Sequence, residues 1–121
     1  MRVGKFALRP YSEREAQPFA TAEEAWLWFA RCQLARVEGV RFTADSGEVA
    51  RPCDPDDIYR VVGRLRRQGV LAAAHVAVLG RFGCRLLPPD PWAGDTVGEA
   101  ALWGEAMDRL TGPLRAKGIV A

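Results

Sequence analysis

The sequence is short of the residues that most enzymes use for chemistry. It has a single histidine, His75, and only three cysteines, Cys32, Cys53 and Cys84. A Ser-His-Asp or Cys-His arrangement would have to use His75. The cysteine spacings match no zinc pattern, and the glycines form no phosphate-binding loop. We therefore expect no metal, no cofactor and no enzymatic activity.

Long apolar runs are missing as well. No stretch of about 20 apolar residues occurs, and a transmembrane helix needs that length. Residues 1–10 carry bases but lack the apolar core of a signal peptide. The three cysteines are thus expected to be reduced thiols in a cytoplasmic protein that does not enter a membrane.

Lysine is nearly absent, because only Lys5 and Lys117 among the 17 basic residues are lysines. The net charge is only +2, so the molecule is no polycation. Any nucleic-acid function must depend on where the arginines lie. Arginine forks suit phosphate and carboxylate groups, but an arginine excess is also typical of GC-rich genomes.

The composition is that of one globular domain of 121 residues, with 49% hydrophobic and 26% charged residues. Residues 1–18 show no periodicity and are predicted to form an irregular N-terminal arm, with a short strand over Val3–Leu8 as an alternative. Residues 19–121 are predicted to form a single helical domain. Within it, residues 40–53 favour a loop, with a small hairpin as the alternative.

The first predicted helix begins with a capping box formed by Thr21 and Glu24, and it ends near Glu38 at Gly39. One apolar stripe comprises Trp26, Phe29, Ala30 and Val37. Other apolar side chains point elsewhere, so the helix is either central to the fold or exposes a second face. The second face comprises Leu27 and Leu34. The candidate surface of this helix for a protein partner or a second copy comprises Trp26, Leu27, Trp28 and Leu34.

The second predicted helix has the strongest local signals in the chain. Asp54 suits the cap, Pro55 suits the first helical position, and the pattern continues to about Gln68. Its apolar face comprises Ile58, Val61, Val62 and Leu65. Its opposite, basic face comprises Arg60, Arg64 and Arg67, with Arg66 beside them. Asp56 stands one turn before Arg60 and is expected to neutralise part of this face.

A third helix is predicted from Leu71 to Gly83, after a break at Gly69-Val70. The apolar run Val76–Leu79 is also compatible with a strand, but the alanines before it favour a helix. His75 falls on the apolar side of this helix, so a hydrogen-bonded core histidine is expected. The fourth helix follows a proline-rich loop and begins with a capping box, Thr96 and Glu99. A kink or restart is expected at its Gly112-Pro113.

These elements predict an all-α fold, a compact bundle of four main helices. The Gly69-Val70 break lies where a helix-turn-helix protein has its turn. However, the helix after the break is rich in alanine, and the arginines lie on the helix before it. In the winged-helix alternative, the arginine helix would be the reading helix and Val76–Leu79 would belong to a wing strand.

Five short segments resemble the core of small uncharacterised alphaproteobacterial proteins. They are the segment 51–58 with sequence RPCDPDDI, His75 with Val78-Leu79, the PPDP segment 88–91, Leu102-Trp103, and the KGIV segment 117–120. The resemblance covers roughly residues 18–120 and implies a bacterial, cytoplasmic setting. It implies no activity and no functional residue. In helix order those proteins resemble small phage-type regulators, which is an analogy of architecture.

Two functional hypotheses follow. The first is a small non-enzymatic regulator that contacts DNA or RNA phosphates through a basic face. Its candidate residues are Arg60, Arg64, Arg67, Arg66, Arg81 and Arg85. The alternative is a protein–protein interaction adaptor or a self-associating module that uses the first helix. A continuous basic surface would favour the first hypothesis, and arginines paired with acids would favour the second.

Overall fold

The computed structural model describes residues 16–39 and 49–121. The proposed strand over Val3–Leu8 and most of the predicted loop at residues 40–53 lie outside these residues. The description of the fold therefore begins just before the first helix.

The described residues form four α-helices, which confirms the predicted all-α bundle. The helices are α1 (Ala22–Glu38), α2 (Pro55–Arg67), α3 (Ala73–Arg85) and α4 (Val97–Ala116), with a 3₁₀ turn at Pro91–Ala93 between α3 and α4. Each of the four helices packs against the other three, so α1 contacts α2, α3 and α4. Within the described ranges, no helix is long and apolar enough to cross a membrane.

The predicted ends of α1 are confirmed. The Thr21 hydroxyl oxygen accepts a hydrogen bond from the Glu24 amide at 3.1 Å. The Glu24 carboxylate accepts one in return from the Ala20 amide at 2.8 Å. Gly39 ends the helix with φ of 76°, a left-handed conformation that glycine adopts without strain. The start of α1 is thus determined by side chains within four residues of it.

Helix α2 also begins as predicted, with Asp54 as the cap residue and Pro55 in the first turn. The Asp57 carboxylate accepts a hydrogen bond from the Asp54 amide at 2.9 Å and so satisfies a free donor at the helix start. All four residues predicted for the apolar face are buried, namely Ile58, Val61, Val62 and Leu65. The opposite face of α2 is therefore the one turned to solvent.

The helical assignment of Val76–Leu79 is confirmed, but the predicted end of α3 at Gly83 is wrong. The helix continues to Arg85, and Leu86 ends it with φ of 60°. Gly83 is buried instead of ending the helix, because the Trp26 indole of α1 packs against it. A side chain at Gly83 would place its Cβ 3.2 Å from Trp26 Nε1.

Helix α4 starts with the predicted capping box, in which Thr96 Oγ1 accepts from the Glu99 amide at 3.0 Å. Glu99 Oε1 accepts in return from the Thr96 amide at 2.9 Å. The predicted restart at Pro113 does not occur, because the helix runs through it to Ala116. The missing N–H of Pro113 removes only the helical hydrogen bond to the Arg109 carbonyl, and the helix ends three residues later.

Val37 and the C-terminal tail show burial that the sequence did not indicate. Val37 was predicted to share the apolar stripe of α1, yet it is 81% exposed in the last turn of this helix. The C-terminal tail is buried instead, with Ile119 and Val120 in the core. Phe19 holds this tail, since its amide donates to the Ile119 carbonyl at 2.8 Å. The tail is thus a structural part of the domain.

Candidate functional site

Three of the six candidate arginines form ion pairs with acids. Arg60 Nη1 lies 2.8 Å from Asp57 Oδ1. On α3, Arg81 Nη1 lies 2.8 Å from Glu99 Oε2. The third pair joins Arg85 Nη1 to an oxygen of Asp95 at 2.9 Å. These three positive charges are therefore largely neutralised within the protein.

The expected pairing of Asp56 with Arg60 is not formed. Asp56 Oδ1 instead accepts from Arg36 Nη1 at 3.2 Å, which links α2 to the end of α1. Arg60 bonds to Asp57, one residue later, in an i,i+3 pair. Both carboxylates belong to the first turn of α2, and the packing of α1 beside this turn decides which one each arginine reaches.

The two arginines of α3 bind acids of α4 and of the loop before it. The Arg81 and Arg85 guanidinium groups lie 5.3 and 4.8 Å from the centre of the buried Phe82 ring. The hydrogen bond from Arg85 and a second one from the Asp90 amide hold the pKa of Asp95 below its usual range. The ion pairs with Glu99 and Asp95 and the contacts with the Phe82 ring together give Arg81 and Arg85 a structural role.

The other three candidates form what we call the basic end of α2. It consists of Arg64, Arg66 and Arg67. No carboxylate of the described residues lies within ion-pair distance of any of these three guanidinium groups. Arg67 folds back along the helix, with Nη1 3.4 Å from the position that a Cβ at Gly63 would occupy. Arg66 and Arg67 are exposed, and Arg64 is partly buried.

His75 lies in the core, as predicted, and is only 4% exposed. Its Nδ1 accepts a hydrogen bond from the Ala72 amide at 3.0 Å, so the ring is neutral with its proton on Nε2. That Nε2 donates to Glu105 Oε1 at 2.8 Å, and this bond lowers the pKa of Glu105. Arg109 Nη1 also approaches Nε2, but both atoms are donors, so its hydrogen bond goes to the Val70 carbonyl at 3.3 Å.

We expect His75→Ala to lower the free energy of unfolding by about 2 kcal/mol, because it leaves a cavity and removes the acceptor of the Ala72 amide. Urea unfolding followed by circular dichroism measures this loss. Glu105→Gln keeps an oxygen acceptor for the histidine, so its cost should be clearly smaller. Equal losses in the two variants would show that the histidine acts only through Glu105.

The cysteines show no arrangement for nucleophilic catalysis. Cys84 is exposed and lies nine positions after His75 on α3, which is about 13 Å along a helix. Burial and the nearby carboxylates of Asp57 and Asp54 raise the pKa of the Cys53 thiol to about 11, which disfavours its reactive thiolate. In the described part of the chain, no three His, Cys, Asp or Glu residues are grouped to hold a metal ion.

One concave surface was not foreseen from the sequence, an apolar groove of about 280 Å³ between α1, α2 and α3. Its base is formed by α1, and its walls are formed by α2 and α3. The residues that line it are Trp26, Phe29, Ala30, Gln33, Leu34, Tyr59, Val62, Val76, Leu79, Gly80, Gly83 and Cys84. No segment of the described chain covers this groove.

The partner surface predicted on α1 is largely occupied by packing. Trp26 and Trp28 are buried, with exposures of 6% and 8%, and Leu27 packs against the core. Leu34 is partly buried and lines the apolar groove. The most exposed aromatic residue among the described residues lies elsewhere, because Trp92 on the 3₁₀ turn is 98% exposed.

Fold and surface together define a small helical bundle that combines a basic helix end with an open apolar groove. No protein-family model matches the chain, and no curated protein or solved structure is significantly similar to it.

Proposed function

We propose that this chain is a small, non-enzymatic, cytoplasmic bacterial regulator that contacts nucleic-acid phosphates through the basic end of α2. One observation carries the proposal. Arg64, Arg66 and Arg67 have no carboxylate partner among the described residues, whereas Arg60, Arg81 and Arg85 each have one. Guanidinium groups without a partner keep their capacity for bidentate hydrogen bonds to phosphate.

The position of the three arginines supports contacts with nucleic-acid phosphates over contacts with the bases. They occupy the last turn of α2, and α3 begins only six residues after Arg67. The exposed face of α3 near its start consists of Ala73, Ala74 and Ala77, which carry no hydrogen-bonding side chains. Phosphate contacts fix orientation on a nucleic acid without reading its sequence. The proposal is thus for binding with little sequence preference.

The test is a fluorescence anisotropy titration with labelled duplex DNA, single-stranded DNA and RNA at low salt. We expect binding to at least one probe, with an affinity that falls steeply as salt is raised. Replacing Arg64, Arg66 and Arg67 together by Gln should weaken binding about 100-fold at 0.1 M salt and reduce the salt slope by about 2.7.

The matched control replaces Arg60, Arg81 and Arg85 by Gln, which removes the same formal charge. Since these arginines are paired with acids, the control should lose far less affinity than the first triple variant. Absence of binding to all three probes at low salt would refute the proposal. Equal losses in both triple variants would assign the binding to net charge and not to the basic end of α2.

A further inference from the structure

Trp92 is an exposed aromatic side chain that packs against almost nothing in the described part of the chain. It lies in the middle of the 3₁₀ turn Pro91–Ala93 and is 98% exposed. Tryptophan is mostly buried in folded proteins, because its large apolar surface is costly to hydrate. Exposed tryptophans at protein surfaces are typical anchors of protein–protein contacts.

The turn that carries Trp92 is held in place by several hydrogen bonds. Asp90 Oδ1 accepts from the Trp92 amide at 3.0 Å. The Asp90 amide donates to Asp95 Oδ2 at 2.7 Å, and Asp95 also binds Arg85 of α3. Because this backbone is already ordered, docking of Trp92 would cost little conformational entropy.

The apolar groove has the properties that an aromatic side chain requires. Its base includes Trp26 and Phe29, whose rings lie 4.9 Å apart. Tyr59 stacks on Phe29 at 5.7 Å and remains 61% exposed at the edge. Gly80 leaves space in the α3 wall, since a Cβ at this position would have no neighbour within 4 Å. An inserted ring would thus meet aromatic side chains at close range.

Exposed apolar residues also occur on α1 and α3, two of the helices that line the groove. Val37 follows Leu34 by three positions on α1 and is 81% exposed. On α3, Ala73 and Ala77 are exposed and lie one turn apart on the side of Gly80. These exposed residues add to the apolar surface of the two helices, and exposed apolar surface of this kind marks interaction sites.

Charged residues beside the groove and beside Trp92 favour one orientation of Trp92 in the groove. On α2, Arg66 follows Val62 by four positions, so it extends the wall of the groove with a positive charge that has no acid partner in the described chain. Helix α3 contributes no acidic residue. Beside Trp92, Asp90 is exposed and negatively charged. An acidic turn and a basic groove edge complement each other.

We propose that Trp92 of one copy of this chain inserts into the apolar groove of a second copy. The occupant is a second copy because one chain provides both an ordered aromatic knob and an open aromatic groove, with opposite charges beside them. The contact joins two different surfaces, so it is heterologous. It closes into a pair if both knobs engage at once, and it otherwise extends into chains. A single knob buries less than a standard interface, so association is weak and concentration-dependent.

Sedimentation velocity across a series from about 10 μM to 1 mM tests the proposal. The full chain should increase in average mass with concentration. Trp92→Ala removes the knob, and Gly80→Leu fills the groove from the α3 wall. Each should raise the dissociation constant at least about 30-fold, the loss expected for a central anchor. Both positions are exposed, so both variants should fold, which circular dichroism verifies.

Two matched controls separate the proposed contact from general effects. Gly104→Leu makes the same change at an exposed site of α4 where a Cβ would also have no neighbour within 4 Å. Val97→Ala removes an apolar side chain that is 75% exposed on the first turn of α4. Both controls should associate like the unchanged protein.

Mixing the two disrupted variants gives the decisive result. Trp92→Ala keeps its groove and Gly80→Leu keeps its knob, so the mixture should form 1:1 pairs and nothing larger. A monomeric unchanged protein at the highest concentration would overturn the proposal. Association that survives in both variants, or a mixture that stays monomeric while the unchanged protein associates, would also overturn it.

Discussion

Trp26→Ala is expected to lower the free energy of unfolding by about 3–5 kcal/mol, the range for deleting a buried large aromatic side chain. Trp26 is 6% exposed and joins α1 to α3. Its indole N–H donates to the Leu79 carbonyl at 3.0 Å, and its ring packs on Phe29 and against Gly83. Since small domains are stable by only about 5–15 kcal/mol, the variant should be partly unfolded at physiological temperature.

Urea unfolding followed by far-ultraviolet circular dichroism measures this loss. Trp92→Ala is the matched control, because it makes the same change at a 98% exposed site and should cost less than about 0.5 kcal/mol. Trp26→Phe keeps most of the apolar volume but loses the hydrogen bond, so it should fall between the two. Similar losses for Trp26→Ala and Trp92→Ala would refute the role assigned to Trp26.

Gly83→Leu is expected to destabilise the domain by about 3 kcal/mol, because the new side chain has to displace the packed Trp26 indole. A Cβ at this position already lies 3.2 Å from Trp26 Nε1 and 3.5 Å from Ala30 Cβ. The indole cannot move freely, since it donates a hydrogen bond to Leu79 and packs on Phe29. Thermal and urea unfolding both measure the effect.

Gly80→Leu provides the control, one turn earlier on the same helix. A Cβ there would have no neighbour within 4 Å, so the better helix propensity of leucine should stabilise the domain by about 0.5–1 kcal/mol. The two substitutions are chemically identical but should have opposite signs. Stabilisation by both would show that α1 and α3 adjust readily at this crossing.

The helix starts could be predicted because their signals are local. Thr21 with Glu24 and Thr96 with Glu99 are pairs three residues apart, and their hydrogen bonds form within one helical turn. The apolar face of α2 was likewise predictable, since its 3.6-residue period depends only on the order of residues. The end of α3 was not predictable, because Gly83 serves a contact with a residue on another helix.

The candidate site was predicted only as a set of arginines. Sequence spacing limits the local partners of an arginine to one turn, but it favoured Asp56 for Arg60, whereas the structure pairs Arg60 with Asp57. Spacing does not identify Glu99 for Arg81 or Asp95 for Arg85, because those acids lie beyond the end of α3. Arg36 pairs with an acid 20 residues away for the same reason. Which arginines keep an unneutralised charge therefore depends on packing.

By itself, the sequence determined where α1, α2 and α4 begin, which face of α2 is apolar and that His75 is buried. These features follow from hydrogen bonds and periodicity over a few residues. Only the tertiary structure decided which arginines are paired, that the C-terminal Ile119 and Val120 belong to the core, and that three helices leave an apolar groove open. These features depend on distances between residues far apart in the chain, such as the 53 positions between Trp26 and Leu79.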